Sequence, residues 1–160
     1  MPEIQLQTTI QADVKTVFDL ARSIDLHVIS SASTREKAIG GVTTGLIGQG
    51  EQVTWKAYHF GIPFTLTSEV THCEPHYHFC DIMVSGPFEG FVHHHYFDQM
   101  DGHCRMTDVF TYSSPFGWLG RFADALFLKA YMKRFLSHRN AIIRRYAESE
   151  ALWQSIPGMI

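Results

Sequence analysis

The sequence predicts an α+β domain: a curved antiparallel β-sheet of about six or seven strands wrapped around one long C-terminal α-helix, with two short helices after the first strand. Three observations carry this. Runs of apolar–polar alternation follow one another from about residue 51 to 112, with only short turn signals between them, as consecutive hairpins require. From Trp118 to about Ser149 there is no Pro and a single Gly, and apolar residues recur at threes and fours. Between the first strand and the main run of strands, two brief helical patterns replace the alternation.

The elements follow in order. Glu3–Ile10 puts Ile4, Leu6, Thr8 and Ile10 on one face and Gln5, Gln7 and Thr9 on the other, a half-buried strand. Asp13 is a good N-cap ahead of Val14, Val17, Phe18 and Ala21 at helical spacing. Ser23–Ile24–Asp25 interrupts, and Asp25 is expected to cap a second short helix running through Ser30. Arg35–Gly40 reads as a short strand, and Gly40, Gly41, Gly45, Gly48 and Gly50 mark turns or bulges after it. Glu51–Phe60 holds Val53, Trp55, Ala57 and His59 on one face; Gly61–Ile62–Pro63 turns the chain. In Phe64–His72, Phe64, Leu66, Ser68 and Val70 oppose Thr65, Thr67, Glu69 and Thr71. Tyr77–Ser85, Phe88–Met100 and Cys104–Tyr112 follow, separated by Gly86–Pro87 and by Asp101–Gly102, a strong hairpin signal. In the long helix Leu119, Phe122, Ala123, Leu126, Ala130, Phe135, Ile142, Ile143 and Tyr146 make a broad apolar face, with Lys129, Lys133, Arg134, Arg144 and Arg145 opposite. Residues 1–150 are expected to form a single domain. Residues 151–160, with Trp153, Ile156 and Met159, are a tail that either docks on it or frays.

Composition narrows the function. The 160 residues carry a formal net charge of −3, which gives no electrostatic reason to expect a nucleic-acid partner. Three Cys without C-x-x-C spacing argue against a disulfide framework and fit reduced thiols in the cytoplasm. The first residues lack a basic and then apolar leader, and no stretch is long and apolar enough for a transmembrane segment. No Gly-rich phosphate loop or nucleophile elbow occurs, and nothing calls for a cofactor. A twisted sheet gripping a helix leaves a cleft, the natural place for a small hydrophobic ligand.

The chemistry-bearing residues concentrate between Asp81 and Asp108. Ten His occur in the chain, six of them between His72 and His95. Side chains two apart on a strand share a face, so Phe91, His93, His95 and Phe97 stand together. Phe79, Asp81 and Met83 form a similar set, as do Met106, Asp108, Phe110 and Tyr112. The turn positions place Asp81 near Phe91 or His93, and Asp108 near His95. Two carboxylate–imidazole pairs on one face are open to several roles. They are a polar anchor for a mostly apolar ligand, a structural pair, or catalytic groups in which an Asp orients His93 or His95 as a general base. His93, His95 and Asp108 also have ligand types suited to zinc or iron, although no fourth ligand is fixed. His72, His76 and His78 are expected at a solvated strand end. Trp55, Tyr58, Phe64, Leu66, Phe79, Met83, Phe91, Phe97, Phe110 and Tyr112 are candidate cavity walls, with Leu119, Phe122, Ala123, Leu126 and Ala130 as a lid. For any one of them plain core packing is the alternative.

The order of elements resembles the START-like, helix-grip superfamily often called SRPBCC, in particular its small bacterial cyclase/dehydrase-type ligand-binding proteins. The resemblance covers nearly the whole chain. Locally it rests on Ala12–Asp13–Val14–Lys15–Thr16–Val17–Phe18, Gly45–Leu46–Ile47–Gly48–Gln49–Gly50, Phe79–Cys80–Asp81–Ile82–Met83 and Gly86–Pro87–Phe88. It rests also on His93–His94–His95 and on Asp108–Val109–Phe110–Thr111–Tyr112 leading into Pro115–Phe116–Gly117. It implies a hydrophobic cavity between sheet and C-terminal helix. Relatives bind lipids, hormones, quinones or polyketides, and only some are enzymes. Binding of a small hydrophobic or aromatic ligand is therefore expected. A cyclase, aromatase or dehydratase activity using a His–Asp pair, or a homodimeric interaction module built on the helix face and the tail, are the alternatives.

Overall fold

In the computed structural model the described residues are 1–114 and 127–159. Seven antiparallel strands form one sheet in the order β1-β7-β6-β5-β4-β3-β2. They are β1 (Glu3–Ile10), β2 (Lys37–Gly41), β3 (Gln52–His59), β4 (Ile62–Glu74), β5 (His78–Ser85), β6 (Gly90–Met100) and β7 (His103–Ser113). Helices α1 (Val14–Ala21) and α2 (Ile24–Ser30) follow β1, and the long helix α3 (Lys129–Ala147) follows β7, with a last turn α4 (Glu150–Trp153).

Each hairpin keeps neighbouring strands in sequence, which is why the sheet is antiparallel throughout. Two turns are tight: Met100 pairs with His103, with Gly102 at φ 72°, and His59 pairs with Ile62 across Phe60 and Gly61, so Ile62 and Pro63 belong to β4 and not to the turn. Register shifts in β4, at Thr67/Ser68 and Val70/His72, and in β2, at Ala38/Gly40, are the bulges that curve the sheet. The second β4 shift also resets the alternation. Cys73 packs toward the core and His72 is left exposed, although unbroken alternation from Val70 would have buried His72.

Two local expectations change. Asp13 caps α1 through Thr16, as its position suggests. The cap of α2 is Ser23, whose hydroxyl accepts from the Leu26 N–H. Asp25 instead accepts from Thr44 and Gly45, tying α2 to the glycine-rich loop. The tail is docked: Ile156 is buried, and Trp153 and Met159 pack on the same cluster, so these side chains are occupied within the chain. Ala130 is exposed and does not form a lid. Leu119, Phe122, Ala123 and Leu126 lie outside the described residues. Among the described residues no helix is long and apolar enough to cross a membrane.

The apolar interior divides in two along the inner strands. One cluster gathers Ile10, Phe79, Phe97 and Met106 with α1 and with Ile143 of α3. Another gathers Ile4, Phe91, Phe110 and Tyr112 with Leu136 of α3, and Met83 packs on it. A third, under α2, holds Ile24, Val53, Trp55 and Val70. Between the first two runs a polar band. On β5 it is Asp81, between Phe79 and Met83. On β6 it is His93 and His95, between Phe91 and Phe97. On β7 it is Asp108, between Met106 and Phe110. On α3 it is Arg139 and Asn140, between Leu136 and Ile143.

Candidate functional site: a polar band across the core

Strand register brings the band together. Asp81 faces His93 across β5–β6, and His95 faces Asp108 across β6–β7. The side chains then cross over. His93 Nε2 lies 3.2 Å from Asp108 Oδ1, and His95 Nε2 lies 3.2 Å from Asp81 Oδ1. The two imidazoles meet with ring centres 3.8 Å apart and planes tilted by 40°, and Phe79 stacks on His95 at 4.1 Å. His95 Nδ1 also approaches Asp108 Oδ1 to 2.7 Å, but too far out of line to make a hydrogen bond. That contact is ionic in character. Asp108 is 1% exposed and His95 1%, whereas Asp81 keeps 20% of its side chain open.

Helix α3 completes the band. Asn140 Nδ2 donates to Asp108 Oδ2 at 2.6 Å and to the Thr8 hydroxyl at 3.3 Å. Arg139, 8% exposed, donates to the Ala21 carbonyl at 2.7 Å, and its charge reaches Asp81 and His95. These partners set the protonation states. Burial alone would raise Asp108, but the His93 hydrogen bond, the close His95 contact and the charges of both rings hold it well below the usual carboxylate range. Asp81 is lowered against the same burial cost by the His95 hydrogen bond, both His charges and Arg139. Burial, then the neighbouring His95 charge, pushes His93 down to about 4 despite Asp108. In His95 burial is outweighed by the close Asp108 carboxylate and the hydrogen bond to Asp81, and it is raised. The two rings are therefore pushed apart: protonation is favoured on His95 and disfavoured on His93.

Beside the band lies a cavity of about 100 Å³, lined among the described residues by Trp55, Val53, Ser68, Val70, Phe79, Ile24, Phe135 and Leu136. Asp81, His93, His95 and Arg139 form its polar end. At the other end His27 stacks on Trp55 at 4.2 Å and bonds Glu36 at 3.1 Å. Burial opposes ionisation of Glu36, but the charge and hydrogen bond of His27, with Ser31 and His59, lower it.

Of the residues singled out from sequence, Trp55, Phe79, Asp81, His93 and His95 line this cavity. Asp108 sits behind the imidazoles. Met83, Phe91, Phe110 and Tyr112 belong to one apolar cluster and Phe97 to the other. Leu66 is half-buried against two clusters, and Phe64 packs by His59 near the β3–β4 turn. Phe122 and Leu126 are outside the described residues. His78 and His94 meet on the outer sheet face at 3.0 Å, with His72 beside His78. Sequence reasoning did not single out Arg139, Asn140, Ser68, His27 or Glu36. A signal existed for two of them: Arg139 and Asn140 fall on the Leu136–Ile143 stripe, where an apolar residue is expected.

No family model matches the chain, and no curated protein matches it in sequence. Solved structures do match in shape. TTHA0849 from Thermus thermophilus superposes with a TM-score of 0.70 at 15% identity, over 89% of this chain and 97% of that one. Major latex-like protein 151 from Panax ginseng gives 0.68 at 14% identity, over 92% and 98%. Ara h 8.0201 gives 0.67 at 11%, over 91% and 97%. The chain has the helix-grip fold. Shared shape at these identities shows the architecture alone.

Proposed function

We propose that this helix-grip chain binds a compact, mostly apolar ligand bearing one polar group, with the ring or alkyl part against Trp55, Phe79 and Phe135 and the polar group at Asp81, His93 and Arg139. The observation that carries the reading is the cavity with the buried cluster of Asp81, His93, His95 and Arg139 at one end. Buried polar groups cost stability unless partnered, and concentrating them beside a void is a poor way to build a core. A volume of about 100 Å³ suits a single ring. A lipid tail or polyketide needs a pocket of roughly 300 Å³ or more. The three cysteines remain free thiols, which supports a reducing, cytoplasmic setting.

The test is native mass spectrometry of protein from its own host, followed by titration of phenol, benzoate, indole and palmitate with ¹⁵N-amide shifts as readout. A saturable response to a single-ring compound at Phe79, Asp81 and His93 is expected. Failure of all four, or a preference for palmitate, would overturn it.

A second reading, acid–base chemistry on the bound ligand, is favoured by one feature: His93 is held by Asp108, which Asn140 anchors in turn. Under that reading His93→Gln abolishes turnover of a ligand that it still binds. Loss of binding and turnover together returns the site to simple binding.

A further inference from the structure

The geometry points to a site for one divalent transition-metal ion, zinc or iron, held by Asp81, His93 and His95. It deepens the ligand-binding reading and rests on it only for the fourth coordination position.

Three observations carry the site. One ligand atom from each of Asp81, His93 and His95 lies within 4.8 Å of the others, and both imidazoles are buried. Metal–ligand bonds of about 2.0–2.2 Å set tetrahedral ligand atoms roughly 3.3 Å apart. The His95 Nε2 and Asp81 Oδ1 pair already stands at 3.2 Å. Second, Asp108 reaches the far nitrogen of each ring, His93 Nε2 at 3.2 Å and His95 Nδ1 at 2.7 Å. That leaves His93 Nδ1 and His95 Nε2 as the ligand atoms. A carboxylate behind the imidazole is the usual outer support of a metal-bound His; Asp108 gives it to His93 by a hydrogen bond and stands in close ionic contact with His95. Asn140 fixes that carboxylate, and His95 Nδ1 otherwise has no aligned partner.

Third, charge is short. Asp81 and Asp108 put two carboxylates in the band, and among the described residues Arg139 is the one buried Arg or Lys. Buried charges need compensation. A divalent ion supplies it and leaves one positive charge over, facing the cavity. The fourth position then takes an anionic oxygen, which makes a small hydrophobic carboxylate or phenolate the ligand class. Two imidazoles and a carboxylate favour zinc or ferrous iron over calcium or magnesium, which prefer all-oxygen sites.

The experiment uses untagged, full-length protein stripped with EDTA and titrated with Co²⁺ and with Zn²⁺. One Co²⁺ per chain is expected, with visible absorption bands of a nitrogen- and oxygen-ligated ion. Asp81→Asn, at the partly open member, removes stoichiometric binding. Asn140→Ala loosens the support and weakens Co²⁺ by about 10-fold or more. His78→Gln and His94→Gln on the outer face change neither stoichiometry nor bands. In the unmutated chain, Zn²⁺ shifts the ring ¹⁵N signals of His93 and His95 and spares those of His72, His78 and His94, a readout independent of any variant's folding. Absence of saturable Co²⁺ binding, binding that survives Asp81→Asn in a folded chain, or Zn²⁺ shifts confined to the outer histidines would each overturn the site. Benzoate titrated into the stripped and the Zn²⁺-loaded protein separates the two readings. Tighter binding in the loaded form supports both. Metal without benzoate or phenol overturns the ligand class and keeps the ion; binding that ignores a bound ion overturns the fourth-position claim.

Discussion

Replacing Asn140 by Ala should be among the most damaging single changes in α3, although the residue is neither charged nor apolar. Its amide makes a 2.6 Å hydrogen bond to Asp108 and a 3.3 Å one to Thr8, and the side chain is 3% exposed. The bond to Asp108 is charge-assisted and buried, so its loss costs about 1.5–3 kcal/mol. The emptied volume adds about 1 kcal/mol because the packed surroundings relax only in part. The Thr8 bond is long and contributes little. The expected loss is therefore about 2.5–4 kcal/mol, which for a urea slope of about 2 kcal/mol/M moves the midpoint down by roughly 1–2 M. Urea unfolding followed by far-ultraviolet circular dichroism and by Trp fluorescence measures it. Thr8→Val, which removes only the weaker partner, should cost under about 1 kcal/mol. Asn140→Asp keeps the volume and places a second carboxylate against Asp108, so it should lose at least as much as the Ala variant. If Asn140→Ala stays within about 0.5 kcal/mol of the parent, Asp108 does not depend on α3. The account of the band as one connected network is then wrong.

Glu36 gives a pH prediction. Its folded pKa is lowered, so its contribution is present above its ordinary value of 4.5 and lost as pH falls through the folded value. The stability advantage of the parent over Glu36→Gln should accordingly be steady at neutral pH and shrink below 4.5, as thermal melts across pH 3–7 would show. Burial pushes the Cys104 thiol up to about 11, so iodoacetamide at pH 8 should label the partly exposed Cys73 well before Cys104, by peptide mass mapping. Phe60 holds φ 54° in the β3–β4 turn with its side chain 67% exposed. Phe60→Asn should raise stability by about 0.5–1 kcal/mol, since Asn tolerates that backbone region better, and an unchanged or lower melting temperature would show that the ring's contacts with Tyr131 outweigh the strain.

Much of the fold is legible in the chain because the strands are long, alternate cleanly and are joined by short turns. Period and turn position together narrow the register, which is how Asp81 could be placed near Phe91 or His93 and Asp108 near His95 before any coordinates; the structure pairs Asp81 with His93 and Asp108 with His95. What register leaves open is the direction of the side chains. Each carboxylate bonds the imidazole diagonal to it. The Asp108–His95 pair, close in register, is an ionic contact out of hydrogen-bond line. The β4 bulge defeats alternation for the opposite reason: one extra residue changes the face of everything after it, and no local signal in Val70–Thr71–His72 announces it. The Ser23 cap was hidden behind a stronger-looking candidate, because Asp25 has a better use in holding the Gly45 amide.

The part that sequence could not supply is the meeting of α3 with the sheet. Arg139 and Asn140 sit more than thirty residues after Asp108, and strand register says nothing about which turn of a helix crosses which row of a sheet. Yet the helix repeats the order of the strands. An apolar residue of one cluster, two polar residues, then an apolar residue of the other cluster occur on α3 as they do on β6. A helix docked one turn out of place would set Asn140 against Phe97 or Phe110 and leave Asp108 without its donor. The band therefore fixes the position of α3 along the sheet as well as forming the polar end of the cavity. This couples the two roles physically: a ligand or metal ion that pulls Asp81, His93 and His95 together also tightens the Asp108–Asn140 link. Binding at the band should slow amide exchange in α3 around Asn140 more than at Arg145, and uniform protection along the helix would refute that coupling.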